Sequence, residues 1–156
     1  MKVAIVNHCR GLGVDRKLLA RVARFVTRQH GVTTGQIDLA ICPDVKMARI
    51  HKRYRGRRAV TDVICFDMSE PERTGRFKDV LHFNVSVALG GQVARRQAKI
   101  HRTSINKELA LYTVHGLLHV LGYNDAKAKD SRRMHQHEDD LLAQIGLGPV
   151  FQHSSP

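Results

Sequence analysis

The chain has 156 residues, with 26 Lys and Arg against 14 Asp and Glu, which gives a formal net charge of +12. Its length is typical of one domain, and a hydrophobic content of 42% excludes a disordered chain. So large an excess of cations indicates a polyanionic partner such as nucleic acid, the alternative being a basic surface kept only for solubility. Ten histidines are the second unusual feature.

Other classes of protein are disfavoured by what the sequence lacks. No apolar run approaches the roughly 20 residues that a membrane span needs. The apolar stretch at the N-terminus covers only residues 3–6, which is too short for a secretory signal, so we expect a cytoplasmic protein. The three cysteines, Cys9, Cys42 and Cys65, form no C-x-x-C pair. A disulfide framework or a zinc ribbon is therefore disfavoured. Cys42 and Cys65, which end or lie within apolar runs, are predicted to be buried thiols.

Apolar periodicity and turn residues predict strands and helices that interleave early and helices that dominate later. The predicted elements are a strand over 3–6, a helix over 16–29 capped by Asp15, a strand over 36–42, a helix over 44–54, a strand over 62–66, a loop or hairpin tip over 69–78, a strand over 80–88, and helices over 90–100, 104–121 (capped by Ser104) and 127–145. This order favours an α+β fold with a small mixed β-sheet packed by helices. We expect a single domain over 1–146 and a flexible tail over 147–156; the oligomeric state stays open.

The strongest chemical signal is a histidine pair in the long helix over 104–121. His115 and His119 are four residues apart, so both lie on one helix face, which is a common zinc half-site. Gly122 follows and permits a sharp turn that would return Asp125 as a third ligand. The alternative is a polar helix face with ordinary hydrogen bonds. Apolar neighbours on both sides favour a metal, because a metal satisfies imidazoles placed in such surroundings.

The residue after the first histidine limits the chemistry. Zinc proteases of this helical type place a glutamate there as the general base, whereas this chain has Gly116. Peptide hydrolysis is therefore disfavoured. A metal ion still acidifies water, and positive charge around phosphorus stabilises phosphoester cleavage, so the pattern is compatible with a nuclease.

Two blocks of the sequence resemble one known family. Residues 115–123 (HGLLHVLGY) are similar to the signature H-G-x-L-H-x-x-G-Y-D-H of the YbeY-type endoribonucleases, the bacterial rRNA maturation factors. Residues 54–56 (YRG) and 61–66 (TDVICF) resemble the family's Y-R-G and T-D-V-L-S-F stretches at the same spacing. A weaker match covers the strand over 80–88, residues 95–98 and residues 108–109, so the resemblance spans about 35–125.

The resemblance implies a metal-dependent endoribonuclease of the single-strand type that acts in maturation of the 16S rRNA 3′ end and in ribosome quality control. It implies one Zn²⁺ ion, RNA as substrate and ribosomal small-subunit proteins as partners, with water or the RNA 2′-hydroxyl as the nucleophile. It also implies His115 and His119 as metal ligands, with Arg55 and His115 as the catalytic residues. The alternative function is a non-catalytic, zinc-stabilised RNA-binding factor associated with the ribosome.

The chain departs from the family signature at the third ligand. Asp125 occupies the position of the family's third histidine, and Asn124 stands where the family has Asp. A carboxylate is a competent zinc ligand, so Asp125 is the predicted third ligand. The alternatives are His135 or His137 from the last helix, or a site with only two protein ligands. An anionic third ligand would make bound water less acidic and favour slightly harder ions.

Basic residues surround the second matching block. Residues 52–58 (KRYRGRR) contain five cations in seven positions, and four more follow within 95–102. Guanidinium groups bind phosphate in a bidentate manner, so these segments are predicted to hold RNA through its backbone. The resemblance marks Arg55 as the arginine that faces the metal and clamps the scissile phosphate. Tyr54 is predicted to face the core rather than to stack on a base.

Overall fold

Strands and helices of the chain were located in a computed structural model, which describes residues 1–56, 59–71 and 80–148. The described elements are, in chain order, β1 (Lys2–Asn7), α1 (Arg16–Gln29), β2 (Gln36–Cys42), α2 (Asp44–Arg55), β3 (Val63–Asp67), β4 (Glu70–Pro71), β5 (Val80–His82), β6 (Asn84–Gly90), α3 (Gly91–His101), α4 (Ile105–Val120) and α5 (Ala128–Gln144). Within these residues no helix combines the length and the apolar composition that a bilayer span requires. The predicted α+β class is confirmed.

The main sheet is mixed and has the strand order β1-β2-β6-β3. Strands β1, β2 and β6 run parallel, whereas β3 pairs antiparallel with β6 and forms one edge. Alternate residues of β2 face opposite sides: Ile37, Leu39 and Ile41 enter the main core, while Ala40 and Cys42 join a smaller cluster. That cluster includes Met47 of α2, whereas residues of α1 and α4 pack in the main core. The sheet therefore has a helical layer on each face.

Helix α4 is the central element of the larger layer. It packs against α1, α3, α5 and strands β3 and β6. Most of its residues are buried, and a helix that is apolar on all sides is typical of such a position. Its start is fixed by Ser104, whose side chain accepts a hydrogen bond from the Lys107 amide at 3.1 Å. Asp15 caps α1 in the same way, through the Leu18 amide at 2.9 Å. Both predicted caps are confirmed.

The predicted strand over 80–88 is divided in the structure. β5 pairs antiparallel with β4 in a separate two-stranded sheet, and β6 joins the main sheet. The break falls at the buried residue Phe83, whose carbonyl accepts a hydrogen bond from the Gln36 amide at 2.7 Å. The predicted loop over 69–78 thus begins as a hairpin strand, and its remainder, 72–79, lies outside the described residues.

The predicted tail is described only at its start. Leu147 packs against the main core, and its amide donates to the Leu142 carbonyl at 2.9 Å. Residues 149–156 lie outside the described part of the chain. The boundary between domain and tail stays a prediction.

Candidate metal centre

Three side chains that can ligate a metal meet where α4 ends. The Nε2 atoms of His115 and His119 lie 3.0 Å apart. Oδ2 of Asp125, from the turn that follows, lies 3.5 Å from His119 Nε2 and 4.0 Å from His115 Nε2. Tetrahedral zinc with bonds of about 2.0–2.2 Å would place its ligand atoms roughly 3.3–3.5 Å apart. The cluster can therefore hold a metal ion, as the ligand atoms all lie within 4.8 Å of one another.

Hydrogen bonds to the other ring nitrogens fix both imidazoles. His119 Nδ1 donates to the carbonyl of Tyr123 at 3.1 Å, and His115 Nδ1 donates to Oε1 of Glu138 at 2.7 Å. A carbonyl can only accept, so the neutral His119 ring carries its proton on Nδ1 and its lone pair on Nε2. Metal-ligating histidines commonly donate to a carboxylate or a backbone carbonyl in this way. The two lone pairs are thus directed at one point beside Asp125.

Glu138 is a buried carboxylate that the sequence analysis did not identify. Its side chain is fully buried, and Oε2 has no hydrogen-bond partner among the described residues. Burial by itself lowers the pKa of His115, but the hydrogen bond and the charge of Glu138 outweigh burial and raise it above its ordinary value. A buried anion that contacts only one imidazole needs a cation nearby. This orphaned oxygen supports the fit of the cluster to a metal ion.

The pattern of α5 contains a signal for Glu138. The buried apolar residues Met134, Leu141 and Leu142 lie on the helix face that also carries position 138. An acid among them is costly to bury unless it is paired. The acidic residue among apolar ones could have identified Glu138 as a residue that needs a buried partner. It does not reveal that the partner is His115.

Packing against β3 leaves no space for a side chain at Gly116. A Cβ at this position would lie 2.6 Å from Sγ of Cys65 and 2.9 Å from Cγ2 of Val63. Both atoms belong to β3, which packs directly against α4. The position therefore has no room for the glutamate of a helical zinc protease, in line with the expectation from sequence.

Cys65 lies at the same contact and is not a candidate ligand. Burial, with a smaller contribution from Asp62, raises the pKa of its thiol to about 12. The protonated thiol is a poor metal ligand and a poor nucleophile. All three cysteines are free. Cys42 is buried as predicted, Cys65 is only partly buried, and Cys9 is also buried.

A cleft of about 600 Å³ opens beside the cluster, between the C-terminal half of α2 and α4. Its floor is β3, the edge strand. The lining residues come from four segments: His51, Arg55, Thr61, Asp62, Val63, Ile64, Cys65, Asp67, His115, Gly116, His119, Val120 and Asp125. The structure thus brings Arg55 and the three predicted ligands to one cleft. It adds His51, one helical turn before Arg55, which the sequence analysis left unexplained.

The start of β3 is braced by Asp62. Its Oδ1 accepts hydrogen bonds from the Val63 amide at 2.8 Å and from Thr61 Oγ1 at 3.0 Å. Its carbonyl accepts from the Gly90 amide at 2.6 Å, which ties the turn to β6. The segment before β3, which lines the cleft, is therefore tied to the main sheet.

Tyr54 and the basic segments differ in part from expectation. Tyr54 is 59% exposed and packs on Phe66 with ring centroids 4.5 Å apart, so the prediction that it faces the core is wrong.

Arg96 pairs with Asp44 at the start of α2 at 2.6 Å. Arg55 ends the same helix, about 16 Å away at 1.5 Å per residue. Arg96 therefore lies at the far end of α2 from Arg55. Residues 57–58 lie outside the described residues.

Among the described residues, the two alternative third ligands from α5, His135 and His137, do not join the cluster. His137 Nε2 lies 3.2 Å from His30 Nε2, in a separate group of rings. His135 is not among the residues that could hold a metal ion together. The geometry thus favours Asp125 over both as the third ligand.

Comparisons with known proteins agree on one family. The family model described as Endoribonuclease YbeY matches residues 12–146. Curated relatives named Endoribonuclease YbeY include those of Anaeromyxobacter sp. (31% identical, covering 96% of this chain and 75% of the relative), Pelotomaculum thermopropionicum (31%, 94% and 99%) and Mycolicibacterium gilvum (33%, 91% and 82%). The solution structure of TM1509 from Thermotoga maritima has the same fold, with a TM-score of 0.57, 15% identity and 99% of each chain covered. The chain belongs to the YbeY endoribonuclease family.

Proposed function

We propose that this chain is a metal-dependent endoribonuclease. The observation that carries the proposal is the meeting of His115, His119 and Asp125 in one cleft with Arg55. Membership of a family whose curated relatives are named endoribonucleases supports the same activity. We further propose one Zn²⁺ ion as the cofactor, because two imidazoles and a carboxylate are a common ligand set of catalytic zinc.

The cleft residues divide into two roles. His115, His119 and Asp125 would hold the ion, which supplies Lewis acidity and lowers the pKa of water when bound. Arg55 is exposed on α2 and lines the same cleft, where its guanidinium can bind a phosphate in a bidentate manner. Phosphoester cleavage accumulates negative charge on the phosphate oxygens, so Arg55 stabilises the transition state. Glu138 acts through His115, by holding its ring.

We propose rRNA as the substrate and the cytoplasm as the place of action, with a role in maturation of the 16S 3′ end and in ribosome quality control. The net charge of +12 supports binding to structured RNA through its backbone. The described residues that line the cleft include no Phe or Tyr, so base stacking is not expected to dominate recognition. The activity would reside in residues 1–146.

The test is cleavage of RNA under control of the metal. The protein is stripped with a chelator, then given a precursor 16S rRNA fragment with and without added Zn²⁺. We expect cleavage only with Zn²⁺, a loss of roughly 100-fold or more in Arg55→Ala, and loss of bound zinc in His115→Ala and His119→Ala. Arg49→Ala is the matched control, because Arg49 is exposed on the same helix and does not line the cleft.

The product also reports the nucleophile. Attack by the 2′-hydroxyl leaves a cyclic phosphate and fails on DNA of the same sequence, whereas attack by water leaves a free phosphate. Zinc binding without metal-dependent cleavage, together with equal rates for Arg55→Ala and Arg49→Ala, would overturn the enzymatic proposal. It would favour instead the zinc-stabilised RNA-binding factor.

A further inference from the structure

A second group of nitrogen and oxygen donors includes a residue of the turn that follows α4. His30 is the first residue after α1, His137 belongs to α5, and Tyr123 lies in the α4–α5 turn. His30 Nε2 lies 3.2 Å from His137 Nε2 and 3.2 Å from the hydroxyl of Tyr123. Both histidines are partly buried. A nitrogen of α5 and a hydroxyl of the turn thus both lie next to one imidazole nitrogen, Nε2 of His30.

The tautomer of His30 is set by its other nitrogen. His30 Nδ1 lies 2.7 Å from the carbonyl of Val26, one turn earlier in the chain. Because the carbonyl can only accept, Nδ1 carries the proton and Nε2 presents its lone pair to His137 and Tyr123. This arrangement is the one that orients metal-ligating histidines in proteins.

The pair has the geometry of the first centre. The rings of His30 and His137 have an interplanar angle of 81° and an Nε2–Nε2 distance of 3.2 Å. The corresponding values for His115 and His119 are 82° and 3.0 Å. Both distances are close to the roughly 3.3 Å that separates two nitrogens on one tetrahedral ion.

Nearby negative charge also favours a cation at the pair. The carboxylates of Glu138 and Asp140 act electrostatically on His137, and their charge would attract a cation to this part of α5.

We propose that His30, His137 and Tyr123 form a second binding site for a divalent transition-metal ion, separate from the cluster at His115. Imidazole and phenol donors suit Zn²⁺, Cu²⁺ and Ni²⁺ rather than Mg²⁺ or Ca²⁺. An ion here would join the C-terminus of α1 to α5. It would also fix Tyr123, whose carbonyl orients His119. The site would therefore stabilise the turn that carries Asp125.

The test counts Zn²⁺ ions in chelator-treated full-length protein by titration calorimetry. The wild type is expected to bind two ions, and His115→Ala/His119→Ala is expected to keep one. Adding His30→Gln and His137→Leu to that variant should weaken the remaining binding at least tenfold. His8→Gln, a change at an exposed histidine beyond β1, is the matched control and should have no effect.

The same substitutions are also made in the wild-type protein, so that the test does not depend on the folding of His115→Ala/His119→Ala. If the His115→Ala/His119→Ala variant fails to fold, His30→Gln/His137→Leu alone should reduce the wild-type count from two ions to one. Tyr123→Phe keeps the ring and should weaken the second ion severalfold. A wild-type count of one that is lost with His115→Ala/His119→Ala would overturn the proposal, as would a count unchanged by His30→Gln/His137→Leu. Either result would leave the rings as a hydrogen-bonded cluster.

Discussion

The contact between α4 and β3 at Gly116 allows a quantitative test of how the site is held. Replacing Gly116 with Ala adds a Cβ that would lie 2.6 Å from Cys65 Sγ, 2.9 Å from Val63 Cγ2 and 3.5 Å from Val87 Cγ1. Normal van der Waals separations are about 3.5–4.0 Å. The first two contacts are therefore too short by roughly an ångström or somewhat less, and α4 must move away from the sheet or the strand must yield.

Two opposing effects set the magnitude. Overpacking of a core typically costs ~1–3 kcal/mol, whereas Ala in place of Gly in a helix interior gains about 1 kcal/mol. The net expectation for Gly116→Ala is a loss of about 0–2 kcal/mol in the free energy of unfolding. Displacement of α4 would also shift His115 and His119, so zinc affinity should fall in parallel.

Urea denaturation of the metal-free protein measures the change in stability. Ala143→Gly, at an exposed position of α5, measures the helix-propensity contribution separately. In Gly116→Ala/Cys65→Ala the Sγ contact is removed, so a double-mutant cycle should return a favourable coupling of at least about 0.5 kcal/mol. A Gly116→Ala protein as stable as the wild type, with no coupling to Cys65, would show that the close packing described here does not constrain α4.

Three further predictions concern the candidate centre. Glu138→Gln removes the buried charge behind His115 and should lower zinc affinity roughly 10- to 100-fold in a calorimetric titration; unchanged affinity would contradict the role of Glu138. Asp125→His removes one negative charge from the site, so the pH at which cleavage begins should fall; a rise would refute the charge argument. Cys65, with a pKa raised to about 12, should resist iodoacetamide at pH 8 in the folded protein and react after unfolding, because only the thiolate attacks. Alkylation of native Cys65 as fast as in the unfolded chain would contradict this assignment.

Most helices and strands could be predicted from the sequence, because hydrogen bonds between nearby residues and the spacing of apolar residues determine where these elements form. The caps Asp15 and Ser104 were predicted from residue type alone, since a short polar side chain satisfies an orphan amide at a helix start. The division at Phe83 was not predicted. It arises from hydrogen bonds to Gln36 and from pairing with β4, which are contacts distant in sequence. Alternation of side chains does not reveal which strand is the partner.

In the candidate site, too, contacts within one element could be predicted from the sequence, whereas contacts between distant elements could not. His115 and His119 were found because four residues bring them to one face of one helix. Glu138 is 23 residues from its partner His115, and His137 is 107 residues from His30. No periodicity within one element connects such pairs. Their pairing depends on how α5 packs against α4 and α1, which the sequence pattern leaves open.

The locations of the three proposed ligands account for a departure from the family signature at the third of them. His115 and His119 lie on α4, and their Nδ1 atoms are held by Glu138 and by the backbone of Tyr123. Asp125 lies in the turn after α4 and is 41% exposed. A change of residue in an exposed turn alters few packing contacts, whereas a change on α4 would disturb the core and leave Glu138 buried without a partner. As the proposed third ligand, Asp125 would therefore adjust the charge of the centre at a position where the fold tolerates a substitution easily.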